Sequence, residues 1–236
     1  MLGLGSGLAI GSPLPFSPKD IFGMSLWLKN GVGVTASQWD DSSGNNNHVT
    51  QGTSGNQAAV SGGGLDFEQS EEDHYDFTSD INILLNTGYS CFLVCEFESY
   101  DSSQNCFLSS SSSKFLEFQT NDKVRFNYTN TVTTIFFTTS NHFNVASGKM
   151  LVSVTRSDSG AHKVFKNGTS LEIDTGSTQN LTNAGAAALD TLGMREKGTP
   201  DRHFDGKIYE LLFYSGEMEA ADVVRVNTYL TGKHGL

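Results

Sequence analysis

The stretch that decides the fold is Phe204-Asp-Gly-Lys-Ile-Tyr-Glu-Leu-Leu-Phe-Tyr214, because this β-type run leads directly into a helical pattern. Its aromatic and aliphatic side chains favour a strand. From 217 to 231 apolar residues recur every three or four positions, and acidic residues lie in the first turn, where the helix dipole favours them. We therefore predict a helix over 217–231, with Ser215 as N-cap and Gly232 just past its end. Its buried face would be Ala220, Val223, Val224, Asn227 and Leu230.

The chain upstream of this stretch shows the alternation that is typical of strands. Cys91–Phe97 is apolar on both faces at its start, which predicts an interior strand. Asn167-Gly168 between two alternating runs is a strong hairpin pattern, because a type I′ turn needs positive φ at both central residues. About a dozen such strands and one terminal helix predict an all-β fold, a two-sheet antiparallel sandwich in a single domain over 21–236. In its first strand Phe22, Met24, Leu26 and Leu28 would share one face.

The charge of the chain argues against two classes of partner. It has 15 basic and 26 acidic residues, for a formal net charge of −11. Nucleic-acid binding depends on Lys and Arg replacing counterions, so nucleic acid is a poor partner, and so is an anionic membrane. No apolar run approaches the roughly 18–20 residues that cross a bilayer.

The three cysteines are expected to be buried thiols. Cys91 and Cys95 lie four positions apart in one strand, so their Cα atoms would be roughly 13 Å apart. A disulfide needs less than about 7 Å, although either residue could still meet Cys106. Free thiols are typical of a protein assembled in a reducing compartment.

The N-terminal segment, 1–20, is predicted to be an extended arm. Pro13, Pro15 and Pro18 keep the backbone extended, and the first basic residue is Lys19, which argues against a signal peptide. A disordered tail is the alternative, yet the segment is apolar for a solvated tail. Docking on the parent domain, on a capsid or on a neighbouring copy would cover its apolar residues, which are Leu2, Leu4, Leu8, Ile10, Leu14 and Phe16.

The order of several short motifs resembles concanavalin A-like (laminin-G-like) jelly-roll domains. The motifs are Trp27, Trp39-Asp-Asp-Ser-Ser-Gly-Asn45, Leu65-Asp-Phe67, Val152–Thr155 before Val164–Gly168, Leu192-Gly193 and Phe204–Ile208. The closing Tyr229-Leu-Thr-Gly-Lys-His-Gly235 is similar to versions found in phage and other virion structural proteins. The resemblance covers residues 21–236 and implies a jelly-roll β-sandwich.

Two acidic segments raise the question of a calcium ion. Asp40–His48 alternates oxygen-bearing side chains like a calcium loop, but Gly52 stands where an EF-hand needs an acid. A turn in which Asp and Asn bond nearby amides is the alternative. The second segment, 66–80, contains seven acids and no Lys or Arg, and laminin-G-like relatives often bind calcium; a solvated loop is the alternative. We expect no cofactor, with Ca²⁺ as the one ion to consider.

The pattern of acidic residues argues against an enzyme. Glycoside hydrolysis needs two carboxylates about 5–9 Å apart. Retaining glucanases of this fold carry Glu-x-Asp-x-(x)-Glu, and the nearest match, Glu96-Phe-Glu98, lacks the central Asp and the final Glu. We therefore predict a non-catalytic protein, with glycoside hydrolase as the weakest alternative.

Two functions fit a non-catalytic sandwich. The first, from the resemblance, is a phage virion surface protein, a head decoration or fibre-like component assembled in the host cytoplasm and anchored by its arm to the major capsid or another virion protein. Homo-oligomer formation is expected, and Thr131–Thr139 is either an interior strand or a subunit contact. The alternative is a lectin that binds host surface polysaccharide, for which the candidate contacts are Tyr100, Asp101, Tyr128 and His142 beside Phe143.

Overall fold

The computed structural model describes residues 15–99, 105–110, 116–119, 123–128, 131–137, 142–174, 184–195 and 202–236. Residues 1–14 of the predicted arm lie outside this part of the chain, as do Tyr100 and Asp101.

The described residues form seventeen strands, four short 3-10 helices and one α-helix. The strands are β1 Met24–Leu28, β2 Val34–Thr35, β3 Gln38–Trp39, β4 Val49–Thr50, β5 Ala59–Ser61, β6 Gly64–Phe67, β7 Tyr75–Ile83, β8 Tyr89–Phe97, β9 Asn105–Ser109, β10 Leu116–Gln119, β11 Lys123–Tyr128, β12 Thr131–Phe136, β13 Met150–Arg156, β14 His162–Lys166, β15 Thr169–Ser170, β16 Ala187–Leu192 and β17 Gly206–Ser215. The α-helix is α1 Ala220–His234, and the 3-10 helices are Pro18–Asp20, Ser54–Asn56, Gln69–Glu71 and Val145–Ser147.

The strands form the two antiparallel sheets of the predicted sandwich. The first sheet runs β15-β14-β13-β8-β17-β6-β5, with β1 also paired to β17, and the second runs β12-β11-β10-β9-β16-β7-β4-β3-β2. The fold class expected from the sequence, an all-β jelly-roll sandwich with one C-terminal helix, is confirmed. In the described part of the chain β12 pairs with β11, and Phe137 forms an isolated bridge with Ile173. Thr138 and Thr139 lie outside the described residues, so the choice between an interior strand and a subunit contact for Thr131–Thr139 stays open.

Two apolar layers hold the molecule together. The larger fills the space between the sheets, and the smaller lies on the outer face of the first sheet, under α1. β8 contributes to both layers, because Leu93 and Cys95 point inward while Phe92 and Val94 point to the helix. Its neighbours are β13 and β17, so the predicted interior strand is confirmed. Cys91, Cys95 and Cys106 are free and buried, as predicted, and burial raises their thiol pKa values.

The helix begins and ends later than the sequence predicted. Ser215 ends β17, Glu219 is the N-cap, and Gly232 lies inside α1. Gly235 provides the left-handed residue that closes the helix, with φ 70°. The buried residues are Val223, Val226, Asn227 and Leu230, and Val224 is 62% exposed. The predicted face was therefore wrong at Val224 and at Ala220, which is also exposed, and Val226 lies on the buried face instead.

The first strand departs from strict alternation. A bulge between Met24 and Leu26 turns Met24 to the helix side, whereas Leu26 points into the core. Phe22 precedes the strand and is 99% exposed, so its predicted place on a buried face was wrong. Gly23 holds this turn with φ 89°, and a Cβ there would lie 2.4 Å from the Ser215 carbonyl oxygen.

Two turns match their predicted chemistry. Asn167 and Gly168 both have positive φ between β14 and β15, as a type I′ turn requires. The buried Asp41 carboxylate accepts hydrogen bonds from the amides of Trp27, Ser43 and Asn47, at 2.8–3.0 Å. This is the amide-bonded turn that was the alternative to a calcium loop. Among the described helices, none combines the length and the apolar character of a bilayer-crossing segment.

The C-terminal end of α1 is fixed by a buried carboxylate. Glu210 of β17 is 0% exposed and accepts hydrogen bonds from Trp27 Nε1 at 2.7 Å, Lys233 Nζ at 2.6 Å and His234 Nε2 at 2.7 Å. Burial alone would raise the pKa of Glu210, but the bonds from His234, Lys233 and Trp27 outweigh it and lower this pKa. We call these four residues the Glu210 clamp.

We predict that Glu210→Gln destabilises the fold and weakens its acid dependence. The neutral amide loses its charge-assisted bonds, at a cost of about 2 kcal/mol, or roughly 4–8 °C in Tm at neutral pH. Because folding lowers the pKa of Glu210, its contribution is complete above the unfolded value of about 4.5 and is lost as the pH falls through the folded pKa.

The measurement is the difference in Tm between wild type and Glu210→Gln from pH 7 to pH 3. Using the difference removes the opposite contributions of Asp66 and Glu117, whose pKa values burial raises. The two Tm values should converge below pH 4.5. A difference that stays constant with pH would contradict the clamp.

Candidate functional site

A groove of about 620 Å³ opens between the first turn of α1 and the outer face of the first sheet. One wall comes from β13 and β14 and the other from the segment that leads into the helix. We call it the helix groove. Its lining residues are Thr155, Arg156, Ser157, Ala161, Lys163, Phe165, Ser170, Glu217, Met218, Glu219, Ala220, Val223 and Val224.

The sheet wall of the groove follows from alternation in β14. Val164 is buried between the sheets, so Lys163 and Phe165 point to the opposite face, where α1 lies. Phe165 is half-buried against the layer under the helix, and Lys163 is exposed. The tight Asn167-Gly168 turn then returns the chain so that Ser170 completes this wall.

The helix wall is held in place by hydrogen bonds between side-chain carboxylates and backbone amides. Glu217 accepts a hydrogen bond from the Asp158 amide at 2.9 Å, and Asp158 in turn accepts one from the Gly88 amide at 2.6 Å. Gly88 is required here because a Cβ would lie 2.4 Å from the Arg156 carbonyl oxygen and 2.6 Å from the Cα of Glu217. Glu219, the N-cap residue, makes no side-chain cap and keeps its carboxylate on the rim.

Arg156 lines the groove and is 1% exposed. Its guanidinium donates to the carbonyl oxygens of Thr87 at 3.1 Å, Gly185 at 2.6 Å and Leu84 at 3.2 Å. The rings of Tyr89 and Tyr128 lie 5.1 and 4.8 Å from it. These contacts hold the charge in place beneath the surface.

A second group of polar side chains lies on the outer face of the same sheet. Lys207 of β17 contacts Glu98 and lies 3.4 Å from Asp66 Oδ2. Carboxylate oxygens of Asp66, Glu68 and Glu98 lie within 4.8 Å of one another. Burial and then the neighbouring Glu98 raise the pKa of Asp66, and the hydrogen bond to Glu98 raises the pKa of Lys207. We call this group the Lys207 cluster.

Glu96 and Glu98, the acids of the glucanase-like run, lie on this face, and each is paired with a side chain of β17. Tyr209 donates to Glu96 Oε2 at 2.8 Å, and burial together with this bond raises the pKa of Tyr209 to about 12. The Lys149 ammonium lies 4.4 Å from the Tyr209 ring. Glu98 is paired with Lys207. Each acid thus has a donor from β17.

The structure describes two of the four side chains predicted to contact a sugar, Tyr128 and His142. Tyr128 is 2% exposed, and its hydroxyl lies 2.7 Å from both Tyr89 Oη and His162 Nε2, so the prediction of a surface contact at Tyr128 was wrong. His142 is half-buried, 5.4 Å from the Phe137 ring and beside the buried Phe143. Tyr100 and Asp101 lie outside the described residues.

Of the residues predicted to dock the arm, the structure describes Phe16. Its ring packs edge-on against Tyr229 at 6.0 Å, and Arg225 lies 4.4 Å above it. Both partners belong to α1 of the same chain. The remaining predicted residues, Leu2, Leu4, Leu8, Ile10 and Leu14, lie outside the described part.

The groove residues were missed by reasoning from sequence. The alternation of Lys163 and Phe165 around Val164 did show a polar and aromatic face on β14. What it could not show is that the first turn of α1 lies opposite this face. That juxtaposition joins positions more than 50 residues apart in the chain.

Comparison with known proteins places the fold. The family model of the concanavalin A-like lectin/glucanases superfamily matches residues 69–224. No curated protein matches the chain in sequence. Among solved structures, domain 4 of the GH43 extracellular arabinanase AbnA from Geobacillus stearothermophilus, in complex with arabinotriose, is similar with a TM-score of 0.59 and 17% identity, over 87% of this chain and 98% of that one.

Two other binding domains are also similar. The botulinum neurotoxin serotype D ligand-binding domain, in complex with N-acetylneuraminic acid, has a TM-score of 0.57 and 18% identity over 88% of this chain. The binding domain of Paraclostridial Mosquitocidal Protein 1 has a TM-score of 0.61 and 13% identity over 90%. The match spans about half of each, 51% and 53%. At these identities the likeness shows a shared fold. Since the family model covers well over half of the 236 residues, the chain belongs to the concanavalin A-like lectin/glucanases superfamily.

Proposed function

We propose that this protein is a non-catalytic carbohydrate-binding module that holds a glycan in the helix groove. The observation that carries the proposal is the composition of the groove, in which the Phe165 ring lies among Lys163, Ser170 and Glu219. Ligand sites are typically clefts of about 300–1,000 Å³ with an apolar floor and a few convergent polar groups.

The groove offers both kinds of contact that a sugar needs. The apolar C–H face of a pyranose or furanose ring packs on an aromatic ring such as Phe165. Its hydroxyls accept hydrogen bonds from the Lys163 ammonium and donate to the Glu219 carboxylate, and bonds to charged groups are the stronger ones. A volume of about 620 Å³ suits a short oligosaccharide segment.

The relatives support the same class of ligand. AbnA domain 4 was solved with arabinotriose, and the serotype D domain was solved with N-acetylneuraminic acid. Both share this sandwich with the present chain. The lectin interpretation therefore has more support than the virion interpretation, for which the relatives offer none. The virion location, a capsid partner and a homo-oligomer remain predictions.

The arrangement of the acids supports a binding role without catalysis. A glycosidase needs one carboxylic acid and one carboxylate free to face the scissile bond. Glu96 accepts from Tyr209, and Glu98 is neutralised by Lys207. In the proposed module these pairs connect β8 to β17. Incubation with arabinan or β-glucan should give no reducing ends above those of a Glu96→Gln variant.

We predict that Phe165→Ala lowers glycan affinity by about tenfold, because the ring supplies the stacking surface. Affinity is measured by calorimetry with the strongest ligand from a glycan array. The matched control is Phe22→Ala, since Phe22 is 99% exposed and lies outside the groove. Lys163→Ala, with Lys19→Ala as its control, tests the groove without removing a packed ring.

The glycan prediction has clear contrary outcomes. A blank array would overturn the proposed function. The glycan would have to bind elsewhere on the surface if Phe22→Ala and Phe165→Ala lost affinity equally. The same conclusion would follow if neither Phe165→Ala nor Lys163→Ala lost affinity. Thermal unfolding of each variant shows whether a loss of affinity reflects a loss of folded protein.

We also predict that Lys207→Ala creates a weak divalent-cation site. Lys207 pairs with Asp66 and Glu98, and carboxylate oxygens of these two and of Glu68 lie within 4.8 Å of one another. Removing Lys207 leaves oxygen ligands that suit Ca²⁺, with a Kd of roughly 10⁻⁴–10⁻³ M. Terbium luminescence sensitised by tyrosine reports the binding. Lys149→Ala removes the same charge beside Tyr209 and leaves Lys207 in place. Equal terbium binding by wild type and Lys207→Ala would contradict this role of Lys207.

A further inference from the structure

We propose that the helix groove selects uncharged sugars over sugars that carry a carboxylate. This inference rests on the proposed function and adds the class of glycan. It follows from the fixed charges around the groove, which include two exposed carboxylates, Glu217 and Glu219, and one exposed ammonium, Lys163. A ligand carboxylate would meet a net negative rim.

The buried guanidinium of Arg156 does not offset the net negative charge of the groove rim. Arg156 directs its donors at the backbone carbonyls of Leu84, Thr87 and Gly185 and lies between two tyrosine rings. Turning it toward a ligand would break these three hydrogen bonds, of which the bond to Gly185 is buried, and would cost more stability than a surface ion pair contributes. Arg156 therefore shapes the groove while Lys163 is the cation that a ligand meets first.

The N-terminus of α1 is also less attractive to an anion than a helix end usually is. Backbone amides at such an end favour negative charge. Here Glu219 is the N-cap residue and Asp222 lies in the first turn, so the chain already supplies acidic groups. Asp222 is paired with Arg225 at 2.9 Å and does not line the groove, whereas Glu219 does.

An uncharged sugar can form hydrogen bonds with these same charged side chains without repulsion. A carboxylate accepts hydrogen bonds from two adjacent hydroxyls, and Lys163 donates to a third oxygen, with the ring on Phe165. A sialic or uronic acid keeps these contacts and adds repulsion from Glu217 and Glu219. Screened at physiological salt, this repulsion corresponds to a preference of roughly tenfold, and the net charge of −11 acts in the same direction.

The experiment compares matched glycans that differ by one acidic group. The probes are lactose against 3′-sialyllactose, and xylotriose against xylotriose that bears glucuronic acid, titrated into the full chain at 20 and 150 mM NaCl. We expect at least one uncharged member to bind about tenfold more tightly than its acidic partner, with a larger ratio at low salt. Glu219→Gln should lower the ratio about threefold, whereas Glu71→Gln, an equal charge change at an exposed site outside the groove, should leave it unchanged.

The outcomes separate this inference from the proposed function. If no probe and no array glycan binds, the proposed function fails and the inference with it. If acidic members bind as tightly as their uncharged partners, or more tightly, the chain is a glycan binder and the inference is overturned. If the ratio is tenfold but Glu219→Gln leaves it unchanged, the selection does not arise at the groove, and the inference is overturned as well.

Discussion

The architecture of this protein depends on one buried carboxylate. Glu210 connects three parts of the chain, because it accepts hydrogen bonds from Trp27 in β1 and from Lys233 and His234 at the end of α1. A buried carboxylate is tolerated when donors satisfy it, and the same bonds fix the helix on the sheet. The helix in turn covers the outer-face residues Trp27, Phe92, Val94, Leu212 and Tyr214. The groove exists because α1 is held at that position.

A single bulge in β17 makes this arrangement possible. Between Ile208 and Glu210 the register shifts against β8, so Tyr209 and Glu210 both face outward, although they are consecutive. Glu210 then lies under the helix, and Tyr209 reaches the carboxylate of Glu96. Without the extra residue the alternation of the strand would turn Glu210 into the apolar space between the sheets. The bulge therefore positions both Glu210 in the Glu210 clamp and Tyr209 beside Glu96.

Local patterns in the sequence predicted the sandwich, and long-range contacts account for what they missed. The Asn167-Gly168 turn and the interior strand at Cys91–Phe97 follow from backbone chemistry and from apolar alternation. Tyr128 was predicted to contact a sugar at the surface. It is buried instead, and its hydroxyl is hydrogen-bonded to Tyr89 and His162, which belong to other strands. The buried face of the helix was predicted incorrectly because the start of the helix was misplaced. The helix begins after Glu219, and the preceding segment is held at Glu217 by contacts with Gly88 and Asp158, which are distant in sequence. The groove could not be predicted for the same reason, since its two walls meet only in the folded chain.

The superfamily name joins lectins and glucanases, so the fold alone does not separate binding from catalysis. The outer face of the first sheet is more informative. Its middle is covered by α1, and in the described part of the chain Glu98 is paired with Lys207 while Glu96 accepts a hydrogen bond from Tyr209. We take these pairings as support for the proposed binding role, because acid–base catalysis requires two carboxyl groups in separate environments. The groove keeps an aromatic ring and exposed charged groups next to one another, a combination that suits the glycan binding proposed above.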